Sequence, residues 1–142
     1  MEEKFEGLER AFNPRSVVVI GDKRQNNNYS FLRALATFCG NVYSVNVDPG
    51  EFPGIEALGV KNYTSLLDVP DPVDYAIVAV PRQIAPTILK DCIHKRVGGV
   101  SLFTSGFAET RTKEGIELAD TITKMAKEGG LNLIGPNCMG IF

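Results

Sequence analysis

"SVVVIGDKRQNNNYSFLRAL", residues 16–35, decides the fold. Ser16–Ile20 is a run of β-branched residues ended by Gly21, and after a polar turn Leu32 and Leu35 begin to recur at helical spacing. Strand, turn and helix in that order open a βαβ unit, and a parallel strand must follow. A turn in this place that cradles phosphate usually spends several glycines on bringing backbone close to the anion. Here Gly21 stands alone. What anion the loop holds, and with which groups, is the question the rest of the chain has to answer.

Outward from that stretch, two kinds of segment alternate. Residues 41–47 (NVYSVNV), 74–80 (DYAIVAV), 98–103 (GGVSLF) and 131–134 (LNLI) are short, β-rich and bounded by Gly, Pro or Asn, and a weaker strand is expected at 60–62. Between them, residues 29–39 place Leu32, Leu35, Ala36 and Cys39 on one helical side, and residues 82–95 do the same with Ile84, Ile88, Leu89 and Cys92. Residues 112–128 carry Ile116, Ala119, Ile122 and Ala126 as a stripe, with Thr112 as the cap. Near-continuous apolar strands separated by helices predict a parallel sheet covered on both faces, because each strand must cross over before pairing again. The expected class is therefore a Rossmann-like, doubly wound α/β fold.

Composition bounds the rest. A chain of 142 residues with 44% apolar side chains is the size of one domain, 1–142, with one core. Fifteen Lys and Arg against seventeen Asp and Glu give a net charge of −2, so no general attraction to nucleic acid or anionic membrane is expected and any anion site must be local. "MEEKFEGLERAFNPR" lacks the basic-then-apolar pattern of a signal peptide, and no apolar run approaches the roughly 18 residues of a membrane span, which predicts a cytoplasmic protein. Cys39, Cys92 and Cys138 form no CxxC pair, which argues against a disulfide framework and a zinc site; Cys39 and Cys92 read as core packing.

In a doubly wound sheet, ligands bind outside the carboxyl ends of the strands where strand order reverses. Those ends read "GDKRQNNN", "VDPGEFPG", "VPRQ", "TSGFAET" and "GPNCMGIF". Most hold Gly or Pro beside small polar residues, the composition that lets a backbone approach a ligand.

Taken together, "FNPRSVVVIG", "VNVDPG", "GVKNYTSLLDVPDPVDYAIVAVP", "TSGFAET" and "IGPNCMGI" resemble the CoA-binding domain of the NDP-forming acyl-CoA synthetases, the group of the ADP-forming acetyl-CoA synthetases and the succinyl-CoA synthetase α subunit. The resemblance runs over residues 12–141, and the ADP-forming enzymes look nearest. It implies coenzyme A as the ligand. By the same resemblance, Gly21, Lys23, Arg24, Gln25 and Asn26 would meet the CoA phosphates. Asn46, with Asp48 and Pro49, would border the adenosine. Val80 and Pro81 would line the channel, Thr104, Ser105 and Gly106 would meet the pantetheine arm, and Asn137 with Cys138 would lie near the thiol.

The sequence also departs from that family. The loop lacks the small residue where Asp22 stands and the glycine before the helix, and Glu51 stands near the place of a lysine found in some relatives. Helix N–H groups near Asn28 to Ser30, with the cations Lys23 and Arg24, are the expected replacement grip on phosphate, and Asp22 is expected to oppose it. The plainer reading makes "NNNYS" a capping turn and Lys23 and Arg24 a surface pair. His94, the only histidine, reads as a polar residue at a helix C-terminus, and the phosphohistidine of the relatives belongs to a later domain. Cys138, Thr104 and Ser105 have no activating base near them in sequence.

The chain thus lacks the parts for ligation and is expected to be a thiol-cofactor module, either part of a longer synthetase or a domain working with an ATP-grasp partner, with a homo-oligomer open. Two rivals remain: an NAD-type module, supported by Asp48 but missing G-x-G-x-x-G, and a regulatory domain that has lost its ligand.

Overall fold

The computed structural model describes residues 2–25, 28–103 and 111–134. Among them, strands β1 (Ser16–Ile20), β2 (Asn41–Val45), β3 (Lys61–Tyr63), β4 (Tyr75–Val78), β5 (Gly99–Leu102) and β6 (Leu133–Ile134) form one parallel sheet in the order β3-β2-β1-β4-β5-β6. Helices are α1 (Glu2–Phe12), α2 (Ser30–Ala34), α3 (Phe52–Ala57), α4 (Ala85–His94) and α5 (Lys113–Glu128). The chain leaves β1 to build β2 and β3 on one side, then returns to place β4, β5 and β6 on the other. Val17 pairs with Tyr75 and Ile20 with Val78, so order reverses between β1 and β4, and the segments after these two strands diverge at their carboxyl ends.

Every residue of β1 is buried, as a central parallel strand requires, and its side chains alternate between two layers. Val18 and Ile20 join Leu89 and Cys92 of α4 and Ile122 and Ala126 of α5 in the main core. Val19 packs with Leu32 and Ile55 under α2 and α3, and Val17 packs with Ala11 and Tyr75. The fold class is the one the sequence predicts.

The elements differ in particulars. β1 matches its apolar run, the other four strands are two or three residues shorter than theirs, and the weak strand is shifted to Lys61–Tyr63. The expected helix over 29–39 is only Ser30–Ala34. After it, Leu35, Ala36 and Phe38 donate backbone bonds to Leu32, Arg33 and Leu35, three residues back. A three-residue period puts Leu32, Leu35 and Phe38 on one side, where a period of 3.6 would bring in Ala36 and Cys39. Cys39 is accordingly exposed, not core, whereas Cys92 is buried. Ile84 and Ile116, expected in stripes, are 46% and 45% exposed; Ile84 is the cap residue before α4, and in α5 the buried positions are Gly115, Ile122 and Ala126.

Helices α1 and α3 have no counterpart in the sequence reading. In α1, Gly7 and Ala11 lie against β5 so closely that a Cβ at Gly7 would stand 3.1 Å from the Gly98 carbonyl and one at Gly99 2.6 Å from Ala11 Cβ. Arg10 fastens this helix: its Nε donates to Asp74 Oδ1 at 2.8 Å and its other nitrogens to the Val73 and Arg96 carbonyls.

Candidate functional site

The site is built on Gly21. Its N–H donates to the Val45 carbonyl at 3.0 Å, carrying the sheet one residue past β1. Its φ is +87°, and a Cβ there would lie 2.7 Å from the Ala79 carbonyl and 2.8 Å from Val80 Cγ1. No L side chain fits both the backbone and the space. The loop after β1 therefore runs directly against the end of β4, which brings Gly21 and Val80 together.

Asp22 follows and is fully buried. Its Oδ2 accepts from the Leu32 N–H of α2 at 2.9 Å and its Oδ1 from the Lys23 N–H at 3.1 Å. Sequence reading expects Asp22 to repel a phosphate and the start of the helix to attract one. In the structure the carboxylate itself occupies the helix start, in the manner of a capping side chain. Two donors just before the helix are also engaged: Asn28 N–H donates to the Arg24 carbonyl and Tyr29 N–H to the Lys23 carbonyl. The expectation that N–H groups near Asn28 to Ser30 stand open to an anion is corrected for Asn28, because a loop without its glycines was closed by internal acceptors. An acidic side chain stands where a glycine-rich loop would offer backbone to phosphate.

A second carboxylate locks the outside of the loop. Glu51 Oε2 accepts from the Arg24 N–H at 3.1 Å and from the Tyr29 hydroxyl at 2.5 Å. Tyr29 is 4% exposed, with φ 56°, and the hydrogen bond to Glu51, burial and the Glu51 charge push its phenol up to about 12. Sequence reading missed this pair, since Tyr29 reads as a helix residue and Glu51 only as the residue near the place of a lysine found in some relatives. The signal available was one aromatic residue directly after three asparagines, in a turn with no other apolar anchor.

Asn46 ties the three strand ends together. Its Nδ2 donates to the Asp22 carbonyl at 2.8 Å, its Oδ1 accepts from the Asp48 N–H at 2.9 Å, and its own carbonyl accepts from Asn62 Nδ2 at 3.1 Å. Asn46 is 7% exposed, so the amide positions backbone around the site. Asp48 caps the 3-10 turn Pro49–Glu51 by accepting from the Gly50 N–H, and Pro49 is exposed at its start.

Of the other expected contacts, Lys23, Arg24 and Gln25 are exposed on the loop, Val80 is half-buried against the main core, and Pro81 is exposed. Arg82 bonds Glu114 at 3.2 Å, joining the segment before α4 to the start of α5. Asn26, Thr104, Ser105, Gly106, Asn137 and Cys138 lie outside the described residues. His94 ends α4 and is exposed, consistent with a polar helix terminus. Among the described residues no cluster of His, Cys, Asp or Glu is placed to hold a metal ion, and no helix is long and apolar enough to cross a membrane.

Chemically, the arrangement is a loop segment bonded from inside by Asp22 and from outside by Glu51 that carries two long cationic side chains at the reversal of the sheet. Such side chains pair with phosphate oxygens by charge-assisted bonds without needing the backbone donors.

Known proteins match this chain along nearly its whole length. The profile of a family described as "CoA binding domain" matches residues 15–142. The chain is 35% identical over 130 residues to the acetate–CoA ligase [ADP-forming] of Methanocaldococcus jannaschii, covering 90% of this chain and 17% of that protein. It is 35% identical over 138 residues to acetate–CoA ligase [ADP-forming] I subunit alpha of Pyrococcus furiosus, covering 94% and 29%. Among solved structures, the dinucleotide forming acetyl-coenzyme A synthetase 1 of Ca. Korarchaeum cryptofilum, in complex with phosphate and ADP, superposes with a TM-score of 0.81 at 33% identity, over 94% of this chain and 28% of that one. This chain thus spans less than a third of the length of each of these relatives.

Proposed function

Because the chain belongs to the CoA-binding domain family and is homologous to the N-terminal module of ADP-forming acyl-CoA synthetases, we propose that it grips coenzyme A at the crevice between β1 and β4. Lys23 and Arg24 pair with the diphosphate, with Gln25 and Asn26 beside them, and Gly21 lets the loop sit close to β4. Asn46 and Pro49 border the adenosine, Val80 and Pro81 line the path, Thr104, Ser105 and Gly106 meet the pantetheine arm, and Asn137 lies toward the thiol. The observation that carries the reading is the exposed Lys23–Arg24 pair, at the reversal of strand order, on a loop segment bonded to Asp22 and Glu51.

The domain's contribution is positioning: holding the nucleotide fixes where the thiol arrives, so attack on an activated acyl group proceeds within one complex. Activation belongs to further synthetase domains or an ATP-grasp subunit, residues 1–142 acting as one CoA-holding unit of a cytoplasmic ligase. A second reading, an NAD-type module, draws on the carboxylates Asp48 and Glu51 beyond β2, where a ribose-binding acid sits in that class. Calorimetric titration separates the two. CoA binding that weakens at least about tenfold in the Lys23→Ala plus Arg24→Ala variant supports the first; NAD binding without CoA binding supports the second and overturns the first.

A further inference from the structure

The carboxylate of Glu51 is held in place by two donors, and it stands beside the backbone of a residue assigned to the diphosphate. In a doubly wound nucleotide site the diphosphate lies over the loop after β1, and the ribose lies toward the end of β2. Glu51 follows β2 through the turn Pro49–Glu51 and touches Arg24, so it faces the junction between these two parts. Asp48, whose Oδ1 accepts from Gly50 N–H, adds a second carboxylate on the same side. We propose that Glu51 is a specificity-determining residue that makes the site disfavour a phosphate on the ribose, so that the domain binds 3′-dephospho-CoA at least as tightly as CoA. This rests on the reading that the site holds a CoA-type nucleotide.

The chemistry follows from what a ribose can offer. A free 3′-hydroxyl donates a hydrogen bond to a carboxylate, whereas a 3′-phosphate brings about two negative charges against one. An ordinary surface glutamate would swing away and let solvent screen the repulsion. Glu51 is restrained: the Tyr29 hydroxyl that holds it belongs to a ring only 4% exposed, packed with Val19, Leu32 and Ile55. Moving Glu51 would break its bonds to both Arg24 and Tyr29. The cations do not reverse the balance, because Lys23 and Arg24 are matched to the diphosphate.

The test is calorimetric titration of the wild-type chain and Glu51→Gln with CoA and with 3′-dephospho-CoA, at low and high salt. Glutamine keeps an acceptor for the Tyr29 hydroxyl and the Arg24 N–H, and circular dichroism melting checks that it folds. The expected result is a wild-type dissociation constant for dephospho-CoA equal to or below that for CoA, and a ratio that moves toward CoA at least fivefold in Glu51→Gln, less so at high salt. Tyr29→Phe, which frees the carboxylate without removing it, should move the ratio the same way by a smaller factor. A wild-type preference for CoA of tenfold or more, or a ratio unaffected by Glu51→Gln, overturns the proposal while leaving CoA binding intact. Absence of binding by either ligand overturns the CoA reading itself, and this proposal with it.

Discussion

The two ends of the sheet solve the same problem differently. At the amino end, the buried Asp74 accepts from the Arg15 and Ser16 backbone N–H groups and also from the guanidinium of Arg10, which in turn bonds the Val73 and Arg96 carbonyls. At the carboxyl end, the buried Asp22 accepts from the backbone of Lys23 and Leu32, while Lys23 and Arg24 are themselves exposed. One aspartate is answered by a cation that is spent on holding α1 to the sheet. Beside the other, cations remain at the rim. Clefts of about 540 and 640 Å³ do open at the amino end, lined by Arg10, His94 and Arg96 among others, but two of their cations are committed, Arg10 to Asp74 and Lys95 to Asp71 at 3.0 Å, while Arg96 is exposed. A basic cleft is thus a poorer guide to an anion site than the question of which cations already have a structural partner.

This contrast can be broken at several points. The largest effect is expected from Asp74→Ala, which leaves Arg10 Nε and the Arg15 and Ser16 N–H groups without their acceptor: a loss of about 3 kcal/mol in stability by urea unfolding, with CoA affinity of the folded fraction unchanged. An affinity that fell with it would show the ends to be coupled. Asp22→Ala removes the internal anion of the loop and should lower stability by about 2 kcal/mol. It should also weaken CoA binding, since the loop that presents Lys23 and Arg24 loses its cap. Joint replacement of Lys23 and Arg24 by alanine should do the reverse, changing stability by less than about 0.5 kcal/mol, as exposed positions do, while CoA affinity drops at least about tenfold.

The smallest effect concerns pH. The Tyr29 phenol is raised from 10.0 to about 12, so the neutral form is the one the fold favours. Its contribution is fully present below pH 10 and is lost as the pH climbs through about 12. Absorbance titration should show a phenol that ionises near 12 and is missing from Tyr29→Phe, and that variant should flatten the alkaline part of the stability curve. A Tyr29 that ionises near 10 would mean that Glu51 does not hold it.

The same contrast explains what the sequence disclosed. The sheet was legible because β1 and β4 are buried on both faces, so burial alone selects β-branched runs without needing partners to be known. Thr112 was legible as a cap because the bond to Gly115 N–H is local. Helix α1 was not, since what holds it is Arg10 to Asp74, 64 residues away, and the close contacts of Gly7 and Ala11 with the start of β5, while Phe5 and Phe12 stay exposed. Helix α2 was overestimated because Ala36 and Cys39 fit a 3.6-residue period that the chain abandons after Ala34. At the site, Gly21 and the cations were visible as residue types. The roles of Asp22, Asn46 and Glu51 were not, because each acts on backbone of another segment, 10 to 27 residues distant.

The most direct test of this division of labour is a crystal structure of the chain grown with CoA. The account predicts the diphosphate within hydrogen-bonding distance of the Lys23 and Arg24 side chains, with Asp22 still bonded to Leu32 and the clefts beside Arg10 free of ligand. CoA bound in those amino-end clefts, or a diphosphate that reaches the loop only by displacing Asp22 from α2, would contradict it.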